Sequence, residues 1–160
     1  MIEIKLTQNK IAIIDDVDLA LVSEYKWRAH KGRNGFYAIT NIGPWRESKV
    51  IQMQNLIINE VPPRMMVDHK DRDGLNNQRA NLRICTRSQN GANRTPWGKS
   101  KYLGVSKVKG RNKWRAFIGV NGINLYLGIF DTEILAAAEY NAAAAFHKGE
   151  FANLNNISEP

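Results

Sequence analysis

Apolar and polar residues alternate through Ile2-Glu3-Ile4-Lys5-Leu6, the period-two pattern of a strand with one buried face. A second short strand is expected over Lys10 to Ile14. The sequence GRNG, Gly32 to Gly35, marks a turn, and Phe36 to Thr40 follows as another strand. Val50 to Ile58 is apolar and suits either strand or helix. The balance favours a helix that ends before Pro62-Pro63. Residues 1–60 thus read as an N-terminal β-rich segment.

The proline pair opens a second unit, residues 61–96. Arg64 to Val67 is a short apolar strand running into Asp68-His69. The loop Lys70 to Arg79 is rich in Asp, Asn and Gly, and Asn81 to Cys85 is the next strand. Thr86 and Gln89 then stand at capping-box spacing, where hydroxyl and amide satisfy free N–H groups at a helix start. Pro96 ends that helix. Pro96 to Ser100, PWGKS, is a basic linker.

Residues 101–155 form a third unit with strands expected at Tyr102 to Val105, Lys113 to Val120 and Leu125 to Phe130. Gly110 and Asn121-Gly122 supply the turns, Asn-Gly being a strong hairpin signal. Asp131 or Thr132 caps a helix from Glu133 to His147, and Gly149 stops it. Seven alanines, at 136–138 and 142–145, allow that helix to approach a sheet closely. The expected fold class is α+β.

Composition places the chain among globular proteins, with 43% hydrophobic and 24% charged residues over 160 positions. No apolar run reaches the roughly 20 residues that span a bilayer, and the N-terminus has no signal-peptide core. A cytoplasmic protein without a membrane partner is the expectation. Cys85 is the one cysteine, which excludes an internal disulfide and a Cys-x-x-Cys zinc cluster.

Charge sharpens the picture. Of the net +8, residues 61–115 hold 14 basic and 3 acidic side chains. Residues 1–60 are near balance and 116–160 are acidic. A concentrated basic stretch attracts a polyanion and gains free energy by releasing counterions from phosphates. A solvated basic surface and an anionic membrane are the alternatives, but no amphipathic lipid-binding helix supports the latter.

The candidate chemistry lies in this basic stretch. Two strands running back to back bring Asp68 and His69, at the end of one, near Asn81 at the start of the other. Asn90 falls about one turn into the following helix and can be aimed at Asp68. Hard oxygen ligands beside an imidazole suit Mg²⁺, with Mn²⁺ as the alternative, and the imidazole can serve as general base for water. An Asp-His dipeptide alone is an ordinary surface pair; the joint spacing carries the reading. His30 and His147 read as structural.

VDHKDRDGLNNQRANLRICTRSQNGANR, residues 67–94, resembles the ββα-metal core of the HNH nucleases. The likeness is greatest to the branch found in phage homing endonucleases, where the last histidine is asparagine. The resemblance implies that Asp68 and Asn90 hold a divalent metal and that His69 is the general base. It also implies that Asn81 braces the loop and orients the base. Asparagine at 90 favours Mg²⁺ or Mn²⁺ over Zn²⁺. In the preceding segment, Gln54 of IQMQNLI stands where related phage proteins often have histidine. That segment is expected to act as a scaffold or DNA-contacting element, with Arg28, Lys31, Arg33 and Arg46 able to touch phosphate.

Residues 101–155 carry Tyr-x-Gly-Val, Trp-Arg-Ala-x-Ile, Leu-Gly-x-Phe, the alanine-rich helix and a closing Ala-x-Leu-Asn. They resemble the Apetala2 type of DNA-binding domain, in which a three-stranded sheet enters the major groove with a helix behind it. The alternation turns Arg115, Asn124 and Tyr126 outwards, with Ser106, Lys107, Arg111 and Lys113 nearby. A ribbon of this width fits the major groove, and Arg and Asn can read base edges there. Leu103 and Ser106 stand where the plant domains have arginine, so their base preference does not transfer. Arg83, Arg87 and Arg94 are candidate phosphate contacts, and Trp45 and Trp97 are expected to pack.

Together these features lead to a metal-dependent endonuclease acting on double-stranded DNA, of homing type, as monomer or homodimer. A DNA-binding regulator with a relict nuclease fold and an RNA-binding protein are the alternatives.

Overall fold

The structure is a computed structural model that describes residues 1–32, 35–93, 96 and 99–157. Arg33, Arg94 and Trp97 lie outside the described residues, as does the side chain of Trp45. In chain order the elements are β1 (Ile2–Lys5), β2 (Ile11–Ile14), α1 (Leu19–Ser23), β3 (Arg28–Gly32), β4 (Gly35–Ile42) and β5 (Lys49–Gln52). They continue with α2 (Met53–Ile57), β6 (Met65–His69), β7 (Leu82–Thr86) and α3 (Arg87–Ala92). Last come β8 (Val105–Lys107), β9 (Trp114–Val120), β10 (Ile123–Phe130) and α4 (Glu133–Lys148). The chain is therefore mixed α and β, with small antiparallel sheets. It divides into two compact units, Met1–Arg87 and Ser88–Pro160. No helix among the described residues is long and apolar enough to cross a membrane.

Two local expectations change, and two elements appear that were not expected. Val50 to Ile58 is split: pairing of Ile39 with Gln52 keeps β5 extended, and α2 then buries Met53, Gln54 and Ile57. The strand expected over Tyr102 to Val105 begins only at Val105. Tyr102 and Leu103 are apolar because they are buried, and Gly104 breaks the extended run at φ +70°. A side chain at Gly104 would collide with the Tyr140 ring and the Phe117 carbonyl. Two elements carry almost no sequence signal: α1 buries only Val22, and in β3 the one buried residue is Ala29.

In the first unit, β1 pairs with β2, β3–β4–β5 form a sheet, and β6 pairs with β7. One apolar cluster joins them: Ala12, Ile14, Val22, Trp27, Ala38, Met53, Ile57, Val67 and Leu82. The β6–β7 hairpin thus shares its core with the first 60 residues. Each large side chain so buried stabilises by roughly 1.5–3 kcal/mol.

The loop from β6 to β7 docks on the N-terminal hairpin through main-chain bonds. Ile13 N–H donates to the Leu75 carbonyl (2.8 Å), and Asn77 N–H donates to the Ile13 carbonyl (2.7 Å). Side chains extend this seam. Asp15 accepts from Gln78 Nε2 (3.1 Å) and the Arg79 amide (2.8 Å). The Arg79 guanidinium grips Asp18 through Nε and Nη2, the closest contact being 2.7 Å.

In the second unit, the sheet order is β10–β9–β8, all antiparallel, with α4 packed on one face. Ala116 packs in one cluster with Ala136 and Ala137, and Ile118 in a second with Tyr140 and Ala144. Thr132 caps α4 by accepting from Leu135 N–H, and Gly149 ends it at φ +52°. The Asn155 side chain bonds both the amide and the carbonyl of Leu103, tying the C-terminal segment to the chain just before β8.

Removing Arg79 strands an Asp18 carboxylate that is only 1% exposed. Arg79→Ala is expected to lose about 2 kcal/mol of stability. That is below the range for breaking a fully buried pair, because Arg79 itself is half exposed. Urea unfolding followed by circular dichroism measures it. A loss under about 0.5 kcal/mol would show that this pair does not secure the loop.

Candidate active site

β6 ends on Asp68 and His69, which are 8% and 5% exposed. Successive strand residues project to opposite faces, and the two side chains meet different partners. Asp68 lies directly across from Arg83 of β7. Arg83 donates to Asp68 Oδ2 from Nε (3.1 Å) and from Nη2 (2.9 Å), and its side chain is 14% exposed. Arg83 is therefore set against the carboxylate in this structure rather than spread over an open surface.

The His69 ring faces the loop and β4. Its Nε2 stands 3.2 Å from Asn77 Oδ1, and the Tyr37 ring lies with its centroid 6.2 Å away. Burial holds the imidazole below its ordinary pKa of 6.5. The Asn77 bond and the charges of Asp71, Asp68 and Asp73 oppose that shift without reversing it. The shift favours the neutral ring, the form in which an imidazole accepts a proton.

Asn81 braces the loop. Its Nδ2 donates to Asp71 Oδ1 (2.9 Å) and the Asn76 carbonyl (2.8 Å), and its Oδ1 accepts from the Asp71 amide (3.1 Å). These bonds end one residue short of the imidazole, which meets Asn77 instead. Burial works to raise the Asp71 pKa, but bonds from the Asp73 amide, Asn76 and Asn81 outweigh it and hold the carboxyl below 3.8. Gly74 packs against β4 so closely that an added Cβ would sit 2.5 Å from the Phe36 carbonyl and from Tyr37 Cδ1.

Asn77, Tyr37, Gly74 and the Asp71 brace were not singled out from the sequence. Asp71-x-Asp73-Gly74 is a turn signal, and Asn76-Asn77 reads as more of the same turn. Asn90 stands in α3, beyond the boundary between the units. Arg87 is exposed at the start of that helix.

As a metal site, Asp68 offers hard carboxylate oxygen. Among the described residues no group of three or more His, Cys, Asp or Glu gathers to form a closed cage. That donor chemistry suits a cation that keeps most of its water and takes substrate oxygens, as Mg²⁺ does.

In the second unit, the sheet face away from α4 presents Arg115, Phe117, Asn124 and Tyr126, with Asn124 and Tyr126 opposite Gly119 and Phe117 in register. Arg115 donates to Ser106 Oγ (2.9 Å) and lies over the Phe117 ring. Lys107 stands near the Trp114 ring, Lys113 pairs with Asp131, and Arg111 is exposed in the turn between β8 and β9.

A family model of the HNH endonucleases matches residues 60–92. Over 137 residues the chain is 34% identical to a protein named as an uncharacterised HNH endonuclease of Acanthamoeba polyphaga mimivirus. The match covers 86% of this chain and 70% of that one. The matched segment contains β6, β7, the braced loop and α3. The chain belongs to the HNH endonuclease family.

Two outcomes test this geometry. Gly74→Ala is expected to cost about 1–3 kcal/mol, because main chain and ring must move apart. An unchanged thermal midpoint would show that the loop does not lie on β4. Asp71→Asn should be less stable than wild type at neutral pH, and the gap should close as pH falls through the native pKa. A carboxyl depressed below 3.8 contributes stability above that value and loses it on protonation. A gap that does not change with pH would contradict the brace.

Proposed function

We propose that this chain is a metal-dependent endonuclease that hydrolyses phosphodiester bonds in duplex DNA. The observation that carries the proposal is a buried His69 beside Asp68, its Nε2 set 3.2 Å from Asn77 Oδ1, within the segment that matches the HNH family. His69 accepts a proton from water as the water oxygen bonds to phosphorus. The bond to the leaving oxygen breaks, and that oxygen is protonated by solvent. Asp68 and Asn90 are the ligands proposed for a divalent cation, Mg²⁺ or Mn²⁺, with Asn90 taken from the sequence motif. When bound, the metal supplies charge stabilisation at the phosphate and the leaving oxygen. Arg83 holds the Asp68 carboxylate, and Asn81 keeps the loop closed beneath the imidazole.

The C-terminal unit is proposed as the DNA reader, of Apetala2 type. Arg115, Asn124 and Tyr126 are proposed to face the bases. Lys107, Arg111, Lys113, Arg87 and Arg94 are proposed to face phosphates, which position a protein without specifying sequence. One His69 per chain makes a nick the product of a monomer. A double-strand cut requires two copies or two events. A homing role follows from the likeness of the motif to phage enzymes of that type.

His69→Ala is expected to lower cleavage of supercoiled plasmid in Mg²⁺ by at least about 100-fold, the low end for a general base, with duplex binding retained. Lost binding would assign His69 to the fold instead. Wild-type protein that nicks no DNA in either Mg²⁺ or Mn²⁺ would overturn the enzyme. Arg115→Ala should weaken duplex binding while leaving the cleavage rate at saturating DNA unchanged. Unaltered affinity at a stated salt concentration would remove the sheet from the DNA interface.

A further inference from the structure

We infer that Asn77 is the positioning residue for His69, and that the N-terminal hairpin takes part in the reaction by holding Asn77 in place. This rests on the proposed role of His69 as proton acceptor.

Asn77 is fully buried and tied from two directions. Its main-chain N–H donates to the Ile13 carbonyl of β2 (2.7 Å). Its side-chain Nδ2 donates to the Leu75 carbonyl (3.2 Å), and Leu75 is itself held by the Ile13 amide. A carbonyl only accepts, so the NH₂ end of the Asn77 amide must face Leu75 and the oxygen must face His69. The amide is thereby oriented by main chain, independently of the ring it meets.

That orientation decides the tautomer of His69. Asn77 Oδ1 has no proton to give, so the 3.2 Å contact requires hydrogen on Nε2. In a neutral imidazole the lone pair is then on Nδ1, which becomes the nitrogen that takes the proton from water. Asn77 thus fixes the ring and selects the nitrogen without carrying charge. This is the orienting-partner role that accompanies activated imidazoles elsewhere. The N-terminal hairpin enters through Ile13, whose amide and carbonyl hold both sides of the Asn77 turn.

Two variants separate this role from a structural one. Asn77→Leu has similar volume and no acceptor; Asn77→Asp restores an oxygen towards Nε2. In metal-free, full-length protein at pH 7.5, side-chain ¹⁵N NMR should report His69 of the wild type as the Nε2–H tautomer. In Asn77→Leu it should become a mixture of both tautomers. On plasmid DNA, Asn77→Leu should lose kcat by about 10–100-fold, as for orienting partners of imidazoles in metal sites, with KM within about twofold. Asn77→Asp returns an acceptor to Nε2 but sets its second oxygen against the Leu75 carbonyl, so it should recover part of kcat and exceed Asn77→Leu.

An Nδ1–H tautomer in the wild type, or wild-type kcat in Asn77→Leu, would overturn the inference. If Asn77→Leu does not fold, the wild-type spectrum and the Asn77→Asp rate still decide. An Nε2–H tautomer in a wild type that cuts no DNA overturns the proposed function, and the positioning role with it, while the hydrogen-bond assignment survives.

Discussion

Two main-chain hydrogen bonds at Ile13 organise the first unit. Loops rich in Asp, Asn and Gly ordinarily run over the surface with many conformations open to them. Here the loop between β6 and β7 borrows the edge of β2, and Ile13 supplies both a donor and an acceptor to it. Edge strands present unpaired main-chain groups that must find partners. This edge finds them in the chain's own loop. Asp15 and Asp18 extend the seam by gripping Gln78 and Arg79, so the loop is fixed where it leaves the hairpin as well as where it pairs.

The candidate site follows from that attachment. With the loop secured, Asn77 is buried against His69, Gly74 lies against β4, and Tyr37 closes one side of the ring. The same packing removes water from the imidazole and holds its pKa down. Asp68, one residue away, is directed to Arg83 instead, so the carboxylate and the imidazole are held by separate sets of contacts. Adjacent residues can then perform separate tasks, one holding charge and the other moving a proton. The second unit is stabilised by its own clusters, with the helix on one face of the sheet and Arg115 and Tyr126 on the other.

Features set by short-range pattern were legible in the sequence. The Asp68-His69 strand, the strand after Asn81, the Asn121-Gly122 hairpin and the Thr132-to-Gly149 helix depend on neighbours within a few residues, and periodicity reports them. Features set by distant pairing were not. β3 exists because β4 pairs with it, and β5 stays extended because Gln52 is opposite Ile39. Which asparagine meets His69 depends on the path of the loop, and that path is dictated by Ile13, more than 60 positions earlier in the chain. Asn76, Asn77 and Asn81 are alike in type. Only the fold assigns one to the loop brace and another to the ring. Tyr102 and Leu103 illustrate the same limit, since apolar character signalled burial there and not strand.

Amide hydrogen exchange at Ile13 and Asn77 tests the account most directly, because both amides donate across the seam and neither is protected in an undocked loop. The account predicts protection of both comparable to the interior amides of the β1–β2 hairpin, with the two exchanging together. Exchange at Asn77 as fast as in an open surface loop, with Ile13 protected or not, would contradict it and would leave His69 without the support described here.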